Sequence, residues 1–224
     1  MTLDVAVLVA AKAPVPGFAK TRLARDVGDA RAAALAAASL LDTLDAVAGA
    51  GVAQRVVAMT GDLGRAVRGG DIAATLSRFT VVPQRGESFA ERLVNAHADT
   101  FGRFGLPILQ IGMDTPQVTA GLLAESADLL TARQGRCALG LAEDGGWWIL
   151  GVPDAVSARA ILPVPTSSPD TGRLTRAALL AAGAEVLSLP TLRDVDYAAD
   201  VAPVAALCPD SSRFRREYLL TSGG

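Results

Sequence analysis

Val5-Ala-Val-Leu-Val-Ala10, and the segment behind it, Lys12-Ala-Pro-Val-Pro-Gly-Phe-Ala-Lys20-Thr-Arg22, decide how this chain is read. The first is a short unbroken apolar run, the pattern of a parallel strand buried on both faces. The second is a loop with two prolines, one glycine and three cations. In open α/β sheets, ligands bind beyond the carboxyl ends of the strands. Lys12, Lys20 and Arg22 at such an end point to a polyanion, most simply the phosphates of a nucleotide. A solvated basic turn is the plain alternative. The loop is not a Walker A motif, where lysine directly follows glycine; here Phe18 and Ala19 separate Gly17 from Lys20. No G-x-G-x-x-G follows the strand, and two prolines stiffen a loop that would have to wrap phosphate with its amides. Side-chain charge, not a backbone nest, is expected to hold the phosphates.

Strand-like and helix-like segments alternate outward from this point. Asp29 is placed to cap a helix over 30–48, which Gly49 to Gly51 stops. Further strands are expected over 55–59, 79–82, 107–112, 137–142, 147–152 and 185–189. Helices are expected over 63–67, 89–101, 119–131 and 171–182, with a mostly helical tail from 198 to 220. Ser88 and Glu91 form a capping box at the start of the 89–101 helix. Alternating β and α with continuous apolar strands predicts an α/β fold, a mainly parallel sheet wound with helices on both faces. No repeat or long linker interrupts it, so residues 1–224 read as one domain.

Composition narrows the function classes. A net charge of −2 in 224 residues lacks the basic excess of a nucleic-acid-binding surface. Two distant cysteines, Cys137 and Cys208, suit a reducing cytoplasm and cannot build a cysteine-rich zinc site. The start of the chain lacks signal-peptide order, and no apolar run is expected to reach the roughly 18–20 residues of a membrane helix. The expected location is the cytoplasm, without membrane insertion. The alanine-rich 30–48 helix is either a homodimer interface or a core helix. His97, the one histidine, shares a helix face with Leu93 and Phe101. It reads as a satisfied, partly buried histidine rather than a ligand or base, and no G-x-S-x-G elbow offers it a catalytic partner.

Four acidic or mixed segments stand at strand ends. Asp114 in Ile111-Gly-Met-Asp-Thr-Pro116 is placed to hold magnesium or manganese bridging phosphate oxygens, or serves the turn. Glu143, Asp144, Gly145 and Gly146 precede Trp147 and Trp148. Asp-Gly marks a hairpin-like turn; alternatively the acids stand on the ligand rim and the glycines permit close approach of a substrate, while alternation puts one tryptophan in the core and one against a ligand. Asp194 and Asp196, two apart on an extended segment, face one side. They suit either a second metal ligand or a helix cap. Gly86 and Arg92 flank a helix N-terminus that favours anions.

Together these motifs resemble a family. AKAPVPGFAKTRL, GESFAERL, IGMDTP, EDGGWWILG and RDVDYAAD, in this order across nearly the whole chain, are similar to the selenodomain-associated transferase 1 family. Its members are labelled glycosyltransferases of the nucleotide-diphospho-sugar transferase (GT-A) fold. The first motif also resembles that of 2-phospho-lactate guanylyltransferase, and molybdenum-cofactor guanylyltransferase shares the wider fold. The resemblance implies a phosphate-binding loop at Lys12, Lys20 and Arg22, and a divalent metal on Asp114. It implies a second acidic ligand at Asp194 or Asp196, and an acceptor side at Glu143, Asp144 and Gly145. Asp114 departs from the Asp-x-Asp of many glycosyltransferases. The Trp147-Trp148 pair stands where tyrosines are usual, and Tyr197 where threonine is. The expected function is a Mg2+- or Mn2+-dependent transferase acting on a nucleotide-diphospho-sugar and a small acceptor. Lys20 would add charge at the leaving group, and Asp144 or Glu143 would act as general base. Nucleotidyl transfer with pyrophosphate leaving, or a non-catalytic nucleotide-binding domain, are the alternatives.

Overall fold

Strand β1 (Leu3–Lys12) carries the opening apolar run, and its residues alternate between two cores. Val5, Val7 and Val9 face one side of the sheet, Ala6 and Leu8 the other. This two-sided burial is why the run is continuous rather than alternating in polarity. The structure, a computed structural model, describes residues 2–222.

β1 is followed by helices α1 (Thr21–Val27) and α2 (Asp29–Gly49), then β2 (Val52–Thr60), α3 (Gly69–Leu76) and β3 (Thr80–Pro83). The second stretch runs α4 (Phe89–Phe104), β4 (Ile108–Ile111), α5 (Ala120–Thr131), β5 (Arg136–Ala142) and β6 (Trp147–Val152). It ends with α6 (Ala155–Ala158), α7 (Thr171–Ala181), β7 (Glu185–Leu192), α8 (Ala198–Leu207) and α9 (Arg213–Ser222). The seven strands form one sheet in the order β3-β2-β1-β4-β6-β5-β7. All pairings are parallel except those of β6, which runs against both β4 and β5. The sheet is therefore α/β, mainly parallel and covered on both faces, as the alternation predicts. Helices α2, α3 and α5 bury one face, with Leu40, Leu44, Ile72 and Leu123 among their contributions. Helices α4, α6 and α7 bury the other, with Leu93, Ala158 and Leu179. A third apolar cluster joins the outer side of α2 to α1, α8 and α9 around Phe214.

Several local expectations need correction. Gly28, at φ 85, is the residue before α2, so Asp29 begins that helix instead of capping it. The 63–67 segment holds only a single 3-10 turn, Leu63–Arg65. The helix there is α3, whose two leading glycines disfavour it on propensity. The tail is mostly helical, as expected, and forms two helices split where Asp42 captures the start of α9: its carboxylate accepts from Ser212 Oγ, Arg213 N and Phe214 N. By length and composition, the 21-residue α2 would span a membrane, against the expectation. About two-thirds of that window is buried inside the protein. That burial makes α2 a core helix.

Candidate active site

The parallel strands deliver the predicted residues to one rim. Lys12 ends β1, and Asp114 lies three residues past β4. The hairpin between β5 and β6 returns at the same rim because β6 alone is reversed. A backbone bond from Val195 N to Asp114 O (3.0 Å) then draws the Asp194–Asp196 segment against the Asp114 turn.

Two cavities share this rim. The larger, about 730 Å³, is bordered by Lys12, Lys20, Arg22, Gly86, Arg92 and Asp114, among others. The smaller, about 210 Å³, is bordered by Gln110, Asp114, Asp144, Gly146, Trp147 and Asp194, among others. Arg22, Asp114, Ser167 and Asp196 border both.

The cations of the larger cavity fall into two kinds. Lys20 Nζ lies 2.8 Å from Asp196 Oδ1 and 3.0 Å from Asp114 Oδ1, with its side chain 9 % exposed. Arg22 Nη1 reaches Asp196 Oδ2 at 2.9 Å. Burial alone would lower the Lys20 pKa, but the charges and hydrogen bonds of Asp114 and Asp196 outweigh it, and the net shift is upward. Burial would likewise raise Asp196, yet Lys20 and Arg22 hold it below its ordinary value. Lys12 and Arg92 have no such partners among the described residues. Lys12 Nζ stands 3.8 Å from the centre of the Phe18 ring. Arg92 donates only to the carbonyls of Gly86 and Glu87. Burial, then the Arg92 charge, hold Lys12 below the usual lysine range. Gln84 stitches the base of this cavity, its Nε2 donating to Ala11 O and Ala58 O at 2.9 Å. Lys20 and Ser167 adopt left-handed backbone (φ 52 and 59), a strained conformation that concentrates at functional sites.

The acids divide in a corresponding way. Asp144, Asp194 and Asp196 bring one carboxylate oxygen each within 4.8 Å of one another. Burial, then the charges of Asp144 and Asp196, push Asp194 up to about 6, although a backbone hydrogen bond and Lys20 oppose the shift. Lys20 and Arg22 pair with Asp196 alone in this all-oxygen cluster, and three such carboxylates suit a hard divalent cation such as Mg2+ or Mn2+. Asp114 is not one of this trio and shares the Lys20 ammonium with Asp196.

Two of the expected site residues, Glu143 and Gly145, lie off both cavities. Glu143 borders neither cavity and is tied to Arg193, whose Nε lies 2.6 Å from its Oε2. At Gly145 (φ 91) the backbone packs against Pro169, whose O would stand 1.9 Å from a Cβ. The chain itself uses the space, and Gly172 N donates to Gly145 O. Gly146 does border the smaller cavity. Trp148 is the core member of its pair, with Nε1 donating to Pro190 O at 2.8 Å, and Trp147 is the cavity member. His97 is fully buried, deeper than expected, and bonds Gln110. Gln110, Gln84, Phe89 and Ser167 were not picked out by sequence. Of these only Gln110 carries a signal, a polar residue inside an otherwise apolar strand.

A family model for an uncharacterized protein conserved in bacteria matches residues 43–168. The chain belongs to the DUF2064 family. The matched stretch holds Gln84, Arg92, Asp114, Asp144 and Trp147, whereas the Lys12–Arg22 loop, Asp194 and Asp196 lie outside it. No curated protein matches this DUF2064 chain in sequence. Among solved structures it is similar to a putative nucleotide-diphospho-sugar transferase from Desulfovibrio desulfuricans G20. That likeness has a TM-score of 0.82 and 27 % identity, over 99 % of this chain and 95 % of that one. A nucleotidyl transferase from Methanothermobacter thermautotroptrophicus aligns at TM-score 0.62 and 18 % identity, over 95 % and 98 %. A Mycobacterium tuberculosis H37Rv protein solved with manganese aligns at 0.53 and 21 %, over 91 % and 98 %. The two more distant ones share the fold. The neighbours named for an activity are transferases that use nucleotides.

Proposed function

We propose that this single-domain protein, of the selenodomain-associated transferase 1 type, moves a sugar from a nucleotide-diphospho-sugar to a small acceptor hydroxyl. The observation that carries this reading is the pair of unneutralised cations, Lys12 and Arg92, in a large cavity that adjoins a smaller, carboxylate-lined one. Two open cations match the two phosphoryl groups of a sugar nucleotide. The 27 % identical neighbour bears the same kind of name.

The donor nucleotide would lie in the larger cavity, its diphosphate held by Lys12 and Arg92 through charge-assisted bonds. Asp194 and Asp196 would hold Mg2+ or Mn2+, with Asp144 closing the cluster on the acceptor side; a manganese-bearing protein of the same fold supports this. The cation, when bound, supplies positive charge beside the phosphates. Lys20 and Arg22 adjoin Asp196, and Lys20 also Asp114, and offset part of that wall's negative charge. Asp144 borders the smaller cavity, and Gly146 N anchors its Oδ1 at 2.7 Å. It would accept the proton of the acceptor hydroxyl as the oxygen attacks the anomeric carbon. The bond to the diphosphate breaks, and the nucleoside diphosphate leaves.

Calorimetric titration of sugar nucleotides and nucleoside triphosphates, with and without Mn2+, tests the reading. Sugar-nucleotide binding that Lys12→Ala weakens is the expected result. Preference for a triphosphate, with pyrophosphate released on turnover, would replace it with nucleotidyl transfer. Absence of both would leave a non-catalytic domain.

A further inference from the structure

Gln110 forms part of the wall of the smaller cavity and is 2 % exposed. It is the one polar residue of β4. Its Oε1 lies 2.8 Å from Nε2 of His97, which is itself fully buried. A carboxamide oxygen only accepts, so His97 Nε2 carries the proton. His97 Nδ1 is then a lone pair, and it has no partner. The opposite arrangement would orphan a buried N–H, which proteins tolerate less than an orphaned acceptor. The contact thus fixes which way the Gln110 amide points. Its NH2 makes no hydrogen bond among the described residues and is not among the sealed, unpartnered atoms. It opens onto the cavity.

The charge of the same wall is equally telling. Four carboxylates border the smaller cavity: Asp114, Asp144, Asp194 and Asp196. Arg22 borders it too, and Lys20 bonds two of the four. One divalent cation added to these two would bring the set to neutrality and leave no positive charge over. A phosphate or carboxylate on the acceptor would find no counter-charge there. Trp147 offers an aromatic face at the same place.

We infer that the smaller cavity takes a neutral, hydroxyl-rich molecule, with one of its oxygens accepting from the Gln110 amide. Gln110 is a specificity-determining residue, and His97 a positioning residue that acts through it. This rests on the transferase reading, with the smaller cavity as its acceptor side.

The test uses the full chain with Mg2+. Glucose, mannose, myo-inositol and glycerol are titrated beside their monophosphates and followed by calorimetry and tryptophan emission. At least one neutral polyol is expected to bind saturably, and its phosphate at least tenfold more weakly. Gln110→Met, similar in shape but without the donor, is expected to weaken polyol binding at least tenfold and leave sugar-nucleotide affinity within twofold. His97→Phe should weaken polyol binding alone, and nitrogen-15 spectra of the unmodified protein should show an Nε2-protonated ring. Tighter binding of the phosphates, no polyol binding, or a Gln110→Met variant that binds as before would each overturn the inference. If a sugar nucleotide binds and no polyol does, this inference alone fails. If polyols bind and no nucleotide does, the transferase reading fails instead.

Discussion

The two sides of the larger cavity use the same residue types to opposite ends. Lys20 and Arg22 are held by Asp114 and Asp196. Lys12 and Arg92 face each other with an aromatic ring and backbone carbonyls for company. The first pair is part of the fold's own charge balance. The second is left open, and its mutual repulsion is relieved only by an anion. A cation's presence at a rim therefore says less about binding than whether the chain has already neutralised it.

The sharpest way to break this comparison is to unpair the neutralised side. Asp196→Asn strips Lys20 of one partner and Arg22 of its only carboxylate. Removing one member of a buried pair destabilises by about 3 kcal/mol or more, and urea denaturation should show a loss of that size. Truncating the open side should do the reverse. Lys12→Ala and Arg92→Ala should each weaken sugar-nucleotide binding roughly ten- to hundredfold, the range of a charge-assisted hydrogen bond. Their melting temperatures should stay near that of the parent.

A smaller effect concerns Asp194. Its folded pKa of about 6 stands above the ordinary 3.8, so its charge opposes folding fully above pH 6 and not at all below about 3.8. Asp194→Asn without metal should raise the melting temperature at pH 7.5, and the gain should fade as the pH drops towards 4. A variant that melts no higher at pH 7.5 would show that the acidic cluster is not strained. The smallest effect is expected for Arg22→Ala. Its side chain is 43 % exposed, and such a surface pair contributes about 1 kcal/mol or less. Donor affinity should change by no more than about threefold; a drop like that of Lys12→Ala would erase the distinction between the two sides.

Much of the frame was readable from local pattern. Val5–Ala10 is a two-sided strand, Ser88 and Glu91 do form their capping box, and Trp147 and Trp148 do divide between cavity and core. Each of these follows from spacing within a few residues. What escaped the sequence depends on distance along the chain. Lys20 meets Asp196 across 176 positions, so its neutralisation has no local sign. Gly145 does mark a turn, yet only the folded chain shows that Pro169 occupies the space beside it. The 166–171 segment, which borders the smaller cavity, carries no periodic signal, and α3 begins on residues that disfavour helix.

The reversal of β6 has a consequence for how this molecule can be altered. The residues around the larger cavity come mostly from the first 92 positions, and those around the smaller one mostly from 110–196. The hairpin joining β5 to β6 presents Asp144, Gly146 and Trp147 close together and is clipped to the start of α7 by the bond from Gly172 N to Gly145 O. On the proposed reading, donor and acceptor preference would thus be written in separate stretches of the chain. Exchanging the 143–147 turn together with 166–172 would, on that reading, graft a new acceptor preference onto an unchanged nucleotide half, whereas exchanging either stretch alone would disturb the clip between Gly145 and Gly172.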